Sequence, residues 1–308
     1  MDARAGNAAE TAAAGELSRA PRRILAIFNP ASGRNRRTRF DEVVAALRAR
    51  GCAVNVVITE RAGHAEAIAR GIGDDIDVIA AAGGDGTVNE IVNGLTGKSV
   101  ALGLIPLGTA NVLADEIALP RGVDQLAQIL AEGPVRDINL GRCNGRRFVM
   151  MAGAGFDANV VDTVSLRLKR AVGPLAYVWQ AAVEGFKQRP LACDLLIDGV
   201  PYKTASVVAC NGRRYGGPFI AAPDAALVDR CFHVVLMTGS RWFDTARYGV
   251  ALVLGRIGKL SDVKIIPAQE IVVNGIEGRP VQADGDIIAR LPATISVDPE
   301  PLRLIFPK

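Results

Sequence analysis

Residues 77–95 read DVIAAAGGDGTVNEIVNGL and combine an apolar run, a glycine-rich turn and the start of a helix. The run at 77–82 predicts a short buried strand, and Thr87 followed three residues later by Glu90 predicts a capping box that opens the helix. Glycines let the backbone pass close to a ligand and point free N–H groups at it, while a helix N-terminus adds partial positive charge. The segment therefore predicts a phosphate-binding turn.

The turn holds one carboxylate, Asp85, between its glycines. Because Asp85 alone would repel a phosphate, its position predicts a Mg2+ ion between the carboxylate and the phosphates, as in phosphoryl transfer. The alternative is a strand-turn-helix whose glycines only satisfy the geometry of the turn. That alternative would suffice for two glycines, but three glycines around an aspartate favour the phosphate site.

The composition predicts a cytoplasmic protein of two domains. A chain of 308 residues is long enough for two cores. The hydrophobic fraction is 49%, yet no apolar run approaches the ~20 residues that span a bilayer. Residues 1–21 are rich in alanine, carry Glu10 and Glu16 and lack an apolar segment, which predicts a disordered tail rather than a secretory signal.

The cysteines are scattered, odd in number and without a CxxC pair, which argues against a disulfide framework and against a zinc site. They are Cys52, Cys143, Cys193, Cys210 and Cys231. The sequence therefore predicts buried free thiols.

The net charge of +4 is modest, but basic residues crowd two segments, 34–39 and 167–170. Basic clusters can bind nucleic acid, but no interleaved aromatic platform accompanies these two. A polyanionic nucleotide or an anionic membrane surface explains the same charges, with solvated helix faces as the alternative for at least half of them. We therefore expect no nucleic-acid partner.

The pattern of apolar runs changes near residue 137. Over residues 22–138 short strands alternate with helical stretches, which predicts an α/β domain with a parallel sheet. Over residues 139–298 many short β-prone runs predict a mainly antiparallel β-sandwich domain, interrupted by helices at about 160–188 and 243–258. Because ligands gather at the carboxyl ends of parallel strands, we expect the active site in the cleft between the two domains.

Further motifs narrow the function of the glycine-rich turn. GGDGT at residues 83–87 is shared by NAD kinases, by phosphofructokinases in a close variant, and by diacylglycerol, sphingosine and ceramide kinases. With PLGTAN at 106–111 it resembles the bacterial diacylglycerol-kinase-like lipid kinases. The other motifs in the order of that family, over about residues 24–306, are NPASGR at 29–34, VIT at 57–59 with GHA at 63–65, GAGFDA at 153–158, NGRRYGG at 211–217, APDA at 222–225 and DGD at 284–286.

The resemblance implies that ATP and Mg2+ bind at the first of these motifs, with Asp85 as the partner of the metal. Phosphoryl transfer needs a cradle for the phosphates, and hydroxyls at neighbouring strand ends add nucleotide contacts. The implied contacts are Asn29, Pro30, Ala31, Ser32, Gly33, Arg34, Thr59, Gly83, Gly84, Asp85, Gly86, Thr87, Val88, Asn89 and Thr109.

The family places a DGE motif opposite the nucleotide, and this chain has Asp284-Gly285-Asp286 there. The last carboxylate is one methylene shorter than in the family. The resemblance implies that Asp286 is the general base with Asp284 beside it, although either carboxylate could take the proton. The alternative is a hairpin turn that carries ordinary aspartates.

Two motifs depart from the family. Where many members continue PLGTAN with an aspartate that joins a charged network, this chain has Val112, so that only Arg34 and Asp137 of the network remain.

The second departure is in the loop for a structural metal. The resemblance implies the Asp229 side chain and the carbonyls of Ala226 and Cys231 as ligands. Arg230 replaces a glycine there and brings a positive charge, which predicts weak or absent Mg2+ binding.

The resemblance implies an ATP-dependent lipid kinase that transfers the γ-phosphate of ATP to the hydroxyl of a diacylglycerol-like lipid. The alternatives are a sphingoid or ceramide kinase, an NAD kinase, and a catalytically silent nucleotide- or lipid-binding regulator. The NAD kinases share GGDG but are not expected to carry PLGTAN.

In the family the last segment returns to the first domain, which groups residues 299–308 with residues 22–138 and leaves 139–298 as the lipid-binding domain. A homodimer is a further expectation.

A lipid alcohol in a bilayer can be reached only if the cleft meets the membrane surface, which predicts a patch of basic and aromatic residues. Two segments qualify, residues 166–179 with Tyr177 and Trp179, and residues 241–259 with Trp242. Tryptophan at helical spacing is more often a core residue, and the two interpretations have equal weight. The sequence thus predicts peripheral, salt-sensitive membrane association.

Overall fold

The computed structural model of the chain describes residues 21–32, 36–155 and 193–308. The predictions for the tail, for Gly33, for Arg34 and for the segment 166–179 therefore lie outside the described residues. The same holds for the side chains of Ser32 and Trp242.

The N-terminal part alternates strands and helices. Its strands are β1 Arg23–Phe28, β2 Ala53–Ile58, β3 Val78–Gly83, β4 Ala101–Pro106 and β5 Val135–Ile138. Its helices are α1 Arg36–Ala49, α2 His64–Arg70, α3 Asp85–Gly94, α4 Val112–Glu116 and α5 Val123–Glu132, with a 3-10 turn at Pro30–Ser32.

The C-terminal part consists mainly of strands. They are β6 Gly141–Cys143, β7 Arg146–Phe148, β8 Met151–Gly155, β9 Cys193–Ile197, β10 Val200–Thr204, β11 Ser206–Cys210, β12 Arg214–Tyr215, β13 Phe219–Ile220, β14 Phe232–Met237, β15 Val263–Ala268, β16 Glu270–Asn274, β17 Pro280–Ala283, β18 Asp286–Arg290, β19 Ala293–Val297 and β20 Leu302–Ile305. One described helix, α6 Trp242–Val253, precedes a 3-10 turn at Ile257–Lys259.

The first sheet has the order β2-β1-β3-β4-β20-β5 and is parallel except for β5. Every residue of β3 is buried because helices cover both faces, as expected for a parallel sheet. Ile79 packs in the cluster that includes α2 and α3, and its neighbour Ala80 packs in the cluster that includes α1 and α5. The predicted α/β domain is confirmed, and β20 returns to this sheet from the end of the chain.

Two further sheets have the orders β10-β9-β16-β19-β6-β7 and β15-β14-β11-β8-β17-β18, and their strands pair antiparallel. Their facing sides share one apolar core, in which Phe148 and Phe232 stack with ring centroids 5.7 Å apart. The predicted β-sandwich is confirmed. No helix among the described residues is long and apolar enough to cross a bilayer.

The predicted capping box at the start of α3 is wrong. The helix begins at Asp85, and its N-cap residue Gly84 makes no side-chain cap. Glu90 instead accepts hydrogen bonds from the N–H groups of Gly63 and Ala65, at 2.9 and 3.0 Å, and so caps α2. The two helices approach closely because Gly94 has no side chain, since a Cβ there would lie 2.4 Å from a carbonyl oxygen of α2.

The capping role of Glu90 can be tested by mutation. We expect Glu90→Ala to lower the free energy of unfolding by about 1–2 kcal/mol, because donors at the start of α2 lose a charged acceptor. Glu90→Gln keeps an oxygen acceptor and should lose less. Urea denaturation of the variants measures both effects, and wild-type stability of Glu90→Ala would contradict the capping role.

Candidate active site

Two glycine-containing turns, at the ends of β3 and β4, form one structural unit. The N–H groups of Leu107 and Gly108 donate to the Gly83 carbonyl at 2.8 and 3.1 Å. A Cβ on Gly108 would lie 2.5 Å from the Cα of Gly84, so neither turn has room for a side chain at this contact. The sequence motifs GGDGT and PLGTAN therefore meet at the carboxyl end of the sheet.

Asn111 shapes the second turn with a left-handed backbone, φ 50°. Its side chain accepts from the Gly108 N–H and donates to the Gly108 carbonyl, each at 2.7 Å. The next residue, Val112, donates its N–H to Oδ1 of Asp85 at 2.7 Å. The main chain of Val112 thus holds Asp85, and this contact does not depend on the side chain that fills the position.

Asp85 carries an uncompensated charge. Burial raises the pKa of its carboxyl to about 6, against the hydrogen bond from Val112, and the nearby charge of Asp284 raises it further. No Lys or Arg in the described part of the chain forms an ion pair with Asp85. The carboxylate therefore suits a site that receives a cation.

The loop after β1 lies against the same turn. Asn29 donates from Nδ2 to the hydroxyl of Thr87 at 3.0 Å, and its Oδ1 accepts from the Ala31 N–H at 3.0 Å. Thr59 is buried directly after β2, and Thr109 is exposed on the PLGTAN turn. Three of these five residues, Asn29, Ala31 and Thr87, are joined by hydrogen bonds in the described structure.

Asp284 lies in the sandwich domain, in the turn between β17 and β18, with φ 49°. Its carboxylate accepts four hydrogen bonds. The donors are the N–H groups of Val149 at 2.7 Å, Met150 at 2.9 Å and Met151 at 3.2 Å, and Nδ2 of Asn89 at 3.0 Å. Burial nevertheless raises the pKa of this carboxyl.

Asp286 has a different environment, although it follows Asp284 by two residues. It is the first residue of β18, and its side chain is exposed. Gly285, with φ 87°, turns the chain between the two aspartates. No described residue donates a hydrogen bond or forms an ion pair with the Asp286 carboxylate, which leaves its oxygens accessible.

The sequence matches two family profiles. The diacylglycerol kinase catalytic domain matches residues 23–143, and the YegS C-terminal NAD kinase beta sandwich-like domain matches residues 150–306, about half of the chain. The chain belongs to the diacylglycerol kinase family. This membership confirms the prediction of a lipid kinase.

Members of the diacylglycerol kinase family resemble the chain over most of its length. The diacylglycerol kinase of Staphylococcus saprophyticus is 29% identical over 282 residues, which cover 88% of this chain and 91% of the relative. That of Staphylococcus carnosus is 28% identical over 285 residues, with coverage of 88% and 91%. A crystal structure of a diacylglycerol kinase from Bacillus anthracis has the same fold, with a TM-score of 0.76 at 22% identity, and covers 93% of this chain and 97% of that one.

In the loop for which the resemblance implies a structural metal, backbone carbonyls accept hydrogen bonds within the protein. The carbonyl of Ala226 accepts the N–H of Asp229 at 2.9 Å, and the carbonyl of Asp229 accepts Nδ2 of Asn139 at 2.5 Å. Asp229 and Cys231 are half-buried. No group of three or more His, Cys, Asp or Glu side chains converges anywhere in the described ranges. A metal at this loop stays a prediction.

Several residues that connect the two domains were not singled out from the sequence. Asn93 exchanges hydrogen bonds with the backbone of Arg147, at 3.0 and 3.1 Å. The side chain of Arg147 is buried and donates to Asp298 at 2.8 Å. In a second connection, the buried Glu116 of α4 accepts from Arg213 Nε at 3.0 Å. The only sequence signal for these connections was the pair of asparagines four residues apart on α3, a spacing that predicts that both lie on one helix face.

Proposed function

We propose that this diacylglycerol kinase family member transfers the γ-phosphate of ATP to the hydroxyl of a diacylglycerol-like lipid. The observation that supports the proposal is the contact between α3, which begins in the glycine-rich turn, and the DGD turn of the sandwich domain. Asn89, one helical turn after Asp85, donates to Asp284 at 3.0 Å. Phosphates bound at the glycine-rich turn of one domain would therefore lie close to the DGD turn of the other.

The three glycines of the turn support a phosphate cradle. Gly83 and Gly84 are required by packing, since a Cβ on either would contact Thr87 or Gly108. Gly86 is different, because a Cβ there would meet nothing within 4 Å. Gly86 lies at the N-terminus of α3, where N–H groups attract anions. The open space at Gly86 would admit the phosphates of ATP close to the backbone.

Asp85 would hold Mg2+. Its half-buried carboxylate lacks an ion-pair partner among the described residues, and hard oxygen ligands are those that Mg2+ prefers. The ion, when bound, would neutralise charge that develops on the transferred phosphoryl group. The Val112 N–H would keep the carboxylate oriented toward the cleft.

We assign the general base to Asp286. A base needs an accessible oxygen within hydrogen-bond reach of the acceptor hydroxyl. The exposed carboxylate of Asp286 provides one, whereas four donors occupy the oxygens of Asp284. Asp286 would take the hydroxyl proton while the lipid oxygen bonds to the γ-phosphorus and the bond to ADP breaks.

Transfer from γ-labelled ATP to a panel of diacylglycerol, ceramide, sphingosine and NAD tests the proposal. We expect label in the diacylglycerol phosphate product, dependent on Mg2+. Label in NADP alone would identify an NAD kinase. ATP binding without transfer to any acceptor would identify a silent regulator, and either result would overturn the proposal.

We also propose that the kinase docks on an anionic membrane through α6. The outer side of this helix exposes apolar side chains, namely Phe243 at 44%, Val250 at 56%, Val253 at 43% and, directly after the helix, Leu254 at 62%. Its inner side is fixed, since Tyr248 is buried and its hydroxyl accepts from the Gly239 N–H at 2.8 Å. The basic residues Arg241, Arg256 and Lys259 lie at the two ends of this helix, whereas Arg247 is paired with Asp244 and Asp262. Such a surface complements anionic lipid.

Sedimentation with anionic vesicles tests this docking surface. The double change Val250→Ser with Leu254→Ser should weaken binding by about tenfold or more, because two apolar side chains no longer enter the interface. Arg241→Ala with Trp242→Ala should weaken it too, as should added salt. Val200→Ser with Ile276→Ser is the matched control, since these residues are similarly exposed, at 51% and 52%, but lie off α6. Equal losses in both double variants would contradict the docking site.

A further inference from the structure

Asn89 of α3 faces the sandwich domain rather than the glycine-rich turn. Its side chain is buried, and Nδ2 donates to Asp284 Oδ2 at 3.0 Å and to the Arg147 carbonyl at 3.3 Å. Its Oδ1 accepts from Asn93 Nδ2 at 3.2 Å. These partners fix the amide orientation, because a carboxylate and a carbonyl can only accept.

The family resemblance implies that Asn89 contacts the nucleotide, but the donors of its amide are committed to the other domain. We propose that Asn89 is a positioning residue that sets the DGD turn, and with it Asp286, relative to the phosphates. This inference rests on the proposed kinase function. Among the described residues, the bond from Asn89 is the one hydrogen bond that joins the Asp284 carboxylate to the α/β domain.

Helix α3 sets a fixed distance between Asp85 in the glycine-rich turn and the contact with Asp284. Asp85 and Asn89 are four residues apart on one helix, which corresponds to a rise of about 6 Å. Asn89 bonds to Asp284, and Asp286 follows two residues later. The phosphate turn and the base are therefore connected through one helical turn and one hydrogen bond, and a displacement of about 1 Å between reacting groups can cost roughly 10²-fold in rate.

Loss of this bond should not unfold the DGD turn. Asp284 also accepts the N–H groups of Val149, Met150 and Met151, which belong to the sandwich domain like Asp284 itself. These three bonds remain when Asn89 is replaced. The turn should thus keep its local structure while its position relative to α3 becomes less defined.

Asn93 provides a matched control on the same helix face. It bonds to the backbone N–H and carbonyl of Arg147 at 3.0 and 3.1 Å and makes no hydrogen bond to Asp284. Asn93→Ala also removes the donor to Asn89 Oδ1, but the two acceptors of Asn89 Nδ2, Asp284 and the Arg147 carbonyl, stay in place. Asn93→Ala removes at least as many hydrogen bonds between the domains as Asn89→Ala does. If Asn89 only held the two domains together, the two substitutions would have similar effects on kcat.

The test compares kcat, KM for ATP and the ATP dissociation constant of wild type, Asn89→Ala and Asn93→Ala. We expect Asn89→Ala to lower kcat by about tenfold or more with ATP binding within about twofold of wild type, and Asn93→Ala to lower kcat less than about threefold. An unchanged kcat in Asn89→Ala would overturn the inference. So would a loss of ATP affinity as large as the loss of kcat, because that result would identify a nucleotide contact.

Hydrogen–deuterium exchange gives a second readout that needs no turnover. In Asn89→Ala we expect moderately faster exchange in residues 282–287, because the folded turn opens more often without its bond to α3, and unchanged exchange in α6. Asn93→Ala should change exchange at residues 146–148 and leave residues 282–287 as in the wild type. Unchanged exchange at 282–287 in Asn89→Ala would overturn the inference. Lack of phosphate transfer by the wild type would count against the proposed kinase function, and the exchange measurement would still decide the role of Asn89.

Discussion

Asp286→Asn should lower kcat by roughly 10²-fold or more, because the acceptor hydroxyl loses its general base. The side chain is exposed and makes no hydrogen bond to a described residue, so the variant should fold with the thermal stability of the wild type. Initial rates of lipid phosphate formation at saturating ATP, together with thermal unfolding, measure both expectations.

Two further variants distinguish the roles of the two aspartates in the DGD turn. Asp286→Glu keeps a carboxylate and restores the glutamate of the family motif, so it should retain most of the activity. Asp284→Asn should lower stability, because an amide cannot accept at both ends from the four donors that hold Asp284. Full turnover in Asp286→Asn combined with loss of turnover in Asp284→Asn would move the base to Asp284.

Asp85→Asn should also lower kcat by roughly 10²-fold or more, because metal-assisted neutralisation of the phosphoryl group is lost. The substitution preserves the oxygen that accepts the Val112 N–H, so the turn should remain intact. Rates measured over a range of Mg2+ concentrations check the cause. A variant that keeps the wild-type dependence on Mg2+ would show that Asp85 does not hold the ion.

Although Asp85→Asn should lower activity, it should raise the stability of the fold. Because burial raises the folded-state pKa of Asp85 to about 6 from an ordinary value of 3.8, ionisation of this group destabilises the fold. The loss develops as the pH rises from about 4 to about 6 and persists above that range. Without ligand at neutral pH, we expect Asp85→Asn to be more stable than the wild type by up to about 3 kcal/mol, since one pKa unit corresponds to about 1.4 kcal/mol. Urea denaturation at pH 5 and pH 8 tests this, since the gain should be larger at pH 8.

The fold could be predicted because its signals are local. Buried parallel strands such as β3 are continuous apolar runs, and the alternation of strands with helical stretches predicts a parallel sheet. The capping box was wrong for a reason that is not local. Glu90 could cap α2 only because Gly94 lets the two helices approach, and this contact depends on tertiary packing.

One part of the candidate site could likewise be predicted from a local motif, and the other part depends on tertiary contacts. Asp85 and its glycines could be found from one contiguous motif, because turn, strand and helix are encoded together. The bond between Asn89 and Asp284 joins residues 195 positions apart, and no pattern in the sequence predicts such a pair. The difference between Asp284 and Asp286 likewise depends on the backbone of residues 149–151, which only the folded chain brings to one of the two carboxylates.

The most direct test of the account is a crystal structure of the kinase with a non-hydrolysable ATP analogue, Mg2+ and a short-chain diacylglycerol. We expect the phosphates at Gly86 with the metal at Asp85, the Asn89 to Asp284 bond retained, and the Asp286 carboxylate at about 3 Å from the acceptor hydroxyl. An acceptor hydroxyl bound to Asp284, or phosphates bound away from Asp85, would contradict it.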